Sequence, residues 1–143
     1  MNLDIDVGLT TELQQLLDIS VKHVRKQGRG SFRPDKDQVT CTYRNEDGSN
    51  CAAGPFINNY CPTMESLHFL QLAERFSTDL DPLAAKHASF VCNVLQQAHD
   101  GAAHKTLTEP DLFLADYEER LHIHVAGWNR AHRTNLVIPE AAP

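Results

Sequence analysis

The stretch V-T-C-T-Y-R-N-E-D-G-S-N-C-A-A-G-P-F-I, Val39 to Ile57, distinguishes an all-helical chain from a mixed one. Val39, Cys41 and Tyr43 alternate with Thr40, Thr42 and Arg44, the period of a strand with one face buried. Asn45-Glu46-Asp47-Gly48 reads as a turn, with Asp47-Gly48 the strongest part of the signal. Ser49 to Ile57 then returns as a second strand, or Cys51-Ala52-Ala53 opens a short helix; Gly54-Pro55 breaks either. The expectation is a small β-hairpin over about residues 39–54. Two strands are not stable alone in water, so it must pack on helices.

On either side of it, helices supply that surface. A helix is expected from Thr10 or Thr11, with Thr11 and Gln14 spaced as a capping box. Leu13, Leu16, Leu17, Ser20, Val21 and Val24 form its apolar stripe, and Gly28 and Gly30 end it. Residues 31–38 read as a loop. A second helix is expected over about 64–76, capped by Thr63, with Phe69, Leu72, Ala73 and Phe76 on one face. Asp81-Pro82 fits an N-cap and first helical position. Leu83, His87, Phe90, Val91, Val94, Leu95 and Ala98 form the next continuous stripe, which Gly101 is expected to close. A last helix over about 110–131 turns Leu114, Tyr117, Leu121, Val125 and Trp128 inward. The fold class expected is therefore α+β and helix-dominant, about four helices packed with one hairpin. Residues 1–143 form a single domain, and 1–9 and 134–143 read as tails.

The 143 residues include 41% hydrophobic and 22% charged side chains, a composition that argues against disorder. A chain this long buries roughly 70% of its unfolded surface, so it folds without help from a metal or disulfide. Asp and Glu outnumber Lys and Arg by 19 to 13, for a net charge of −6. That balance argues against direct nucleic-acid binding by phosphate neutralisation. Apolar runs are too short for a membrane span, and the start lacks the basic and apolar regions of an export signal, so a cytoplasmic protein is expected.

The four cysteines, Cys41, Cys51, Cys61 and Cys92, include no C-x-x-C pair and are expected as free thiols. If Cys51 lies at a helix N-terminus, its thiol becomes a candidate nucleophile, with His99 as base and Asp100 orienting the ring. The alternative is structural: Cys41 and Cys51 as small buried hydrophobes, and His99 closing a helix. His104, His122, His124 and His132 cluster in sequence, but no H-x-x-x-H spacing places two ligands on one helix face, so no metal is assigned. No cofactor is assigned either. The phosphate-loop, dinucleotide, zincin, serine-hydrolase and deaminase motifs are all absent.

Several short motifs occur together in one order: Gln27-Gly28, Cys41-x-Tyr43-Arg44, Asp47-Gly48, Cys51-Ala52-Ala53-Gly54 and Leu95-Gln96-x-x-His99-Asp100. Over residues 10–100 this arrangement resembles a family of short, uncharacterised proteins of tailed phages and prophages. Pro55 departs from the pattern, and the last helix looks like an addition. The resemblance implies a phage or mobile-element origin and no particular reaction. With the missing catalytic motifs, it leads to a function expectation: an accessory protein that binds and inhibits a host bacterial protein, in the manner of an anti-CRISPR or other anti-defence factor. Tyr43, Arg44 and Asp47 on the hairpin, and Arg120 and Arg130 on the last helix, are the expected contact residues. The alternatives are a small cysteine enzyme using Cys51 and His99, and a ligand-sequestering module in which Arg44 meets an anion.

Overall fold

Asp6 starts the first helix by accepting the Leu9 N–H on Oδ1 at 2.9 Å. Helix α1 spans Val7–Gln27, and Gly28 (φ 75°) ends it in a left-handed turn. The helix therefore begins ahead of Thr11, whose hydroxyl donates to the Val7 carbonyl rather than forming a capping box. The computed structural model describes residues 5–35 and 38–141, with backbone alone for 33–35 and 38–40. The reading of residues 1–9 as a tail falls partly, at 1–4, outside the described residues, as does that of 134–143 at 142–143. The inward face expected for the Val39 side chain also lies outside them.

The expected hairpin at 39–54 is not formed, and this overturns the α+β class: the fold is a helical packing. A short antiparallel ladder does occur, but earlier in the chain, where β1 (Phe32–Asp35) pairs with β2 (Gln38–Cys41). Beyond Cys41 no strand continues. The turn at Asp47-Gly48 is real, with Gly48 at φ 87°, yet a single isolated bridge, Arg44 to Asn50, is all that flanks it. The reason lies in the hydrogen bonds. The Tyr43 and Arg44 N–H groups donate to the Glu65 carboxylate at 2.9 and 3.1 Å, so a distant side chain takes the place of a neighbouring strand. Residues 51–57 are neither strand nor α-helix: a turn leads into one 3₁₀ turn, Gly54–Phe56.

A second 3₁₀ turn, Pro62–Ser66, precedes α2 (Phe69–Arg75). His68, not Thr63, caps α2, and it forms a reciprocal capping box with Gln71. Asp81 does cap α3 (Pro82–Lys86), accepting the Leu83 and Ala84 N–H groups at 3.0 Å each. The path continues through α4 (Ala88–Phe90), a wide π-helical turn (Val91–Gln96) and α5 (Gln97–Lys105). Gly101 lies inside α5 and does not end it. Its role is close approach: a Cβ there would sit 2.6 Å from Arg120 Nη1 of the next helix. That helix, α6 (Phe113–His132), comes after a 3₁₀ turn at Pro110–Leu112 and packs along α5.

The core joins the inner faces of α1, α4–α6 and the 51–57 turn. Leu16, Val24, Phe69, Leu72, Phe90, Val94, Leu95 and Leu121 are all buried, while Trp128 is half-buried and packs edge-on to Phe90. Residues 134–139 run back along α1 instead of leaving the fold.

Candidate functional site

The residues singled out by their order in sequence meet around the 42–57 loop. Gln27, on the last turn of α1, reads both backbone groups of Asn50: Oε1 accepts its N–H at 2.8 Å and Nε2 donates to its carbonyl at 2.9 Å. Gln96, at the end of the π turn, accepts the buried Ala53 N–H at 2.9 Å. Ser20 donates to the Ala52 carbonyl at 2.8 Å. At Gly54 a Cβ would lie 2.6 Å from the Asn50 side chain, so only glycine lets the loop close on itself.

Tyr43 is buried at 6% exposure, and its hydroxyl donates to the Leu67 carbonyl at 2.6 Å. Burial pushes that phenol above its ordinary range. Arg44 is exposed at its edge, but its Nη2 donates to the Ile57 carbonyl at 2.8 Å and its guanidinium lies over the Tyr60 ring. Glu65 completes this corner, accepting from Tyr60 at 2.6 Å as well as from the two backbone N–H groups. Asp47 caps its own turn through Ser49, and that hydrogen bond, the largest cause, holds its carboxyl below the usual value; Arg29 stands 3.7 Å away. Arg120 pairs with Asp116 across one helical turn, whereas Arg130 is exposed near the end of α6.

His99 is fully buried. Its Nε2 accepts the Ser31 N–H at 3.0 Å, so the proton sits on Nδ1 and is donated to Asp100 Oδ1 at 2.8 Å. Both ring nitrogens are therefore spent on holding the chain. Cys51 is fully buried, and the burial, aided by the nearby Asp100 charge, pushes its thiol well above the ordinary range. It precedes a turn and lies at no α-helix N-terminus. The structure thus gathers Cys51, His99 and Asp100 into one region without forming a thiolate–imidazole pair.

One grouping was missed in the sequence. Ligand atoms of Cys41, His99 and Asp100 lie within 4.8 Å of one another. A cation there would need the Nδ1 lone pair, which the Ser31 bond leaves protonated, and a thiolate at Cys41, whose thiol burial pushes up. The donor set as arranged does not fit a metal. The only advance signal is the His99-Asp100 dipeptide, since Cys41 arrives from a distant part of the chain by folding. Of the other histidines, His132 stacks on Trp128 with ring centroids 3.7 Å apart. His122 is exposed and His124 half-buried, and they join no ligand cluster among the described residues. A cavity of about 340 Å³ adjoins the site, lined in part by Cys41, Tyr43, Glu65, Cys92 and Asp100. Its lining includes two carboxylates and no lysine or arginine, so Arg44 does not furnish it with an anion clamp.

Comparison with protein-family models, with curated proteins and with solved structures finds no match to this chain.

Proposed function

We propose that the protein is a non-catalytic binding protein of phage or mobile-element origin. It occupies a host protein in the bacterial cytoplasm, in the manner of an anti-defence factor, and contacts it through the outer face of α6. The observation that carries this reading is the character of that face. The inner side of the 20-residue helix is buried through Phe113, Tyr117, Leu121 and Val125. Its outer side presents Ile123 at 63% exposure, with Ala115, Glu119, His122, Ala126 and Arg130 also exposed. A large aliphatic beside small residues on a rigid helix presents an anchor at low entropic cost for insertion into a partner's pocket. Two further features support binding over chemistry. His99 is engaged by Ser31 and Asp100 and Cys51 is fully buried, and the net charge of −6 suits a basic host surface.

The test is capture from a bacterial lysate by the tagged chain, read by native mass spectrometry. The wild type is expected to retain one host protein at fixed stoichiometry. Ile123→Asp is expected to weaken that capture by about tenfold or more, the effect of losing a central anchor, while leaving the circular dichroism spectrum unchanged. No stoichiometric partner from any competent host, or capture indifferent to Ile123→Asp, contradicts the proposal.

A further inference from the structure

After α6 the chain reverses at Arg133, which has φ 54° and ψ 43°. It is the only non-glycine residue of positive φ among the described residues. From there Thr134 to Pro139 runs without regular structure in a groove between α1 and α6. Three side chains hold its backbone. Asn129 accepts the Leu136 N–H at 2.9 Å and donates to the Leu136 carbonyl at 3.1 Å. Gln14 treats Val137 the same way, at 3.0 and 2.7 Å. Arg25, fixed by Glu118, donates to the Pro139 carbonyl at 2.7 Å. Leu136 and Thr134 point inward at 5% and 3% exposure, and Val137 points out at 65%.

This is recognition of an extended segment as a separate ligand would be recognised, through its backbone and alternate side chains. The contacts need only the segment, not its attachment to the same α6. The connection is a single residue held in a left-handed conformation that arginine adopts at a cost. Short strained hinges of this kind favour exchange of the attached segment between copies.

We infer that two copies of this chain exchange their C-terminal segments. Thr134–Pro139 of each copy fills the α1–α6 groove of the other, and each groove is completed by the partner copy. Opening frees Arg133 from the left-handed region. It also gives up the Asp6 N–H bond to the Arg133 carbonyl. The closed monomer holds its own segment at an effective concentration on the order of millimolar, so wild-type exchange emerges as protein concentration approaches that level.

The test is sedimentation equilibrium on full-length variants. In Arg133→Pro, φ is confined to about −65°, which forbids the reversal. That variant is expected to be dimeric far below millimolar concentration, whereas Arg133→Gly, which relieves the closed form, stays monomeric where the wild type dimerises. Adding Gln14→Ala to Arg133→Pro is expected to weaken the dimer by about tenfold. A folded Arg133→Pro chain that stays monomeric, or a dimer indifferent to Gln14→Ala, overturns the inference. Should Arg133→Pro fail to fold, mixing ¹⁵N-labelled and unlabelled wild type near millimolar concentration decides. Isotope-filtered NMR contacts between Val137 of one copy and Gln14 of the other support exchange, and the absence of dimers, or dimers that lack those contacts between copies, overturns it.

Discussion

His23 shows how one side chain ties stability to pH. It sits half-buried on α1 with Nε2 donating to the Asn50 carbonyl at 3.2 Å. Burial is the largest influence on it and lowers its pKa from the ordinary 6.5, with the bond to Asn50 opposing. The unfolded chain therefore takes up this proton more readily than the folded one. The contribution to stability is complete above about pH 6.5 and is lost as pH falls from there toward the lower folded value. Denaturant titrations should show stability declining below about pH 6.5, and His23→Gln should make that decline shallower. An unchanged pH slope in the variant contradicts this. His124 shares the direction, also through burial, so part of the slope should survive.

The π turn Val91–Gln96 matters at the scale of elements. Its wider winding adds a residue to the helical path between α4 and α5 and shifts the phase of the turns after it. Val91, Val94 and Leu95 still face the core, while Gln96 reaches the loop at Ala53 and His99 reaches Ser31. Gln96→Leu leaves the buried Ala53 N–H without its acceptor and should cost about 1–3 kcal/mol in chemical denaturation; an unchanged unfolding midpoint would show that Gln96 does not hold the loop. The helices themselves were legible because their stripes are local: the Leu13–Val24 face and the Phe90–Ala98 face both became core. The hairpin was misread because alternation at 39–44 carries no information about the partner. Glu65 supplies that partner from a separate turn, and nothing local in the sequence places it there. Asp81 was legible as a cap, since it bonds within its own turn, whereas Gly101 was misread because its neighbour Arg120 belongs to α6.

Across the whole molecule, the ordered motif describes a clamp. Gln27, Tyr43, Arg44, Asp47, Gly54 and Gln96 each stabilise the 42–57 loop or seat it against α1 and the π turn, and His99 holds Ser31, whose hydroxyl meets that of Thr42. Their co-occurrence was visible in the sequence, but their role was not, because the same residue types build nucleophiles and loop anchors and only burial separates the two. No helix among the described residues is long and apolar enough to cross a membrane. The hydrogen bonds of His99 and Asp100 and the full burial of Cys51 assign these three side chains a structural role. Peptide-resolved alkylation of the native protein at neutral pH puts that assignment at risk. Cys51, fully buried with its thiol pushed up, should react slowest, far behind half-buried Cys61, and should reach the rate of an unfolded thiol only in denaturant. Native Cys51 labelling faster than Cys61 would contradict the structural role and identify a nucleophile in its place.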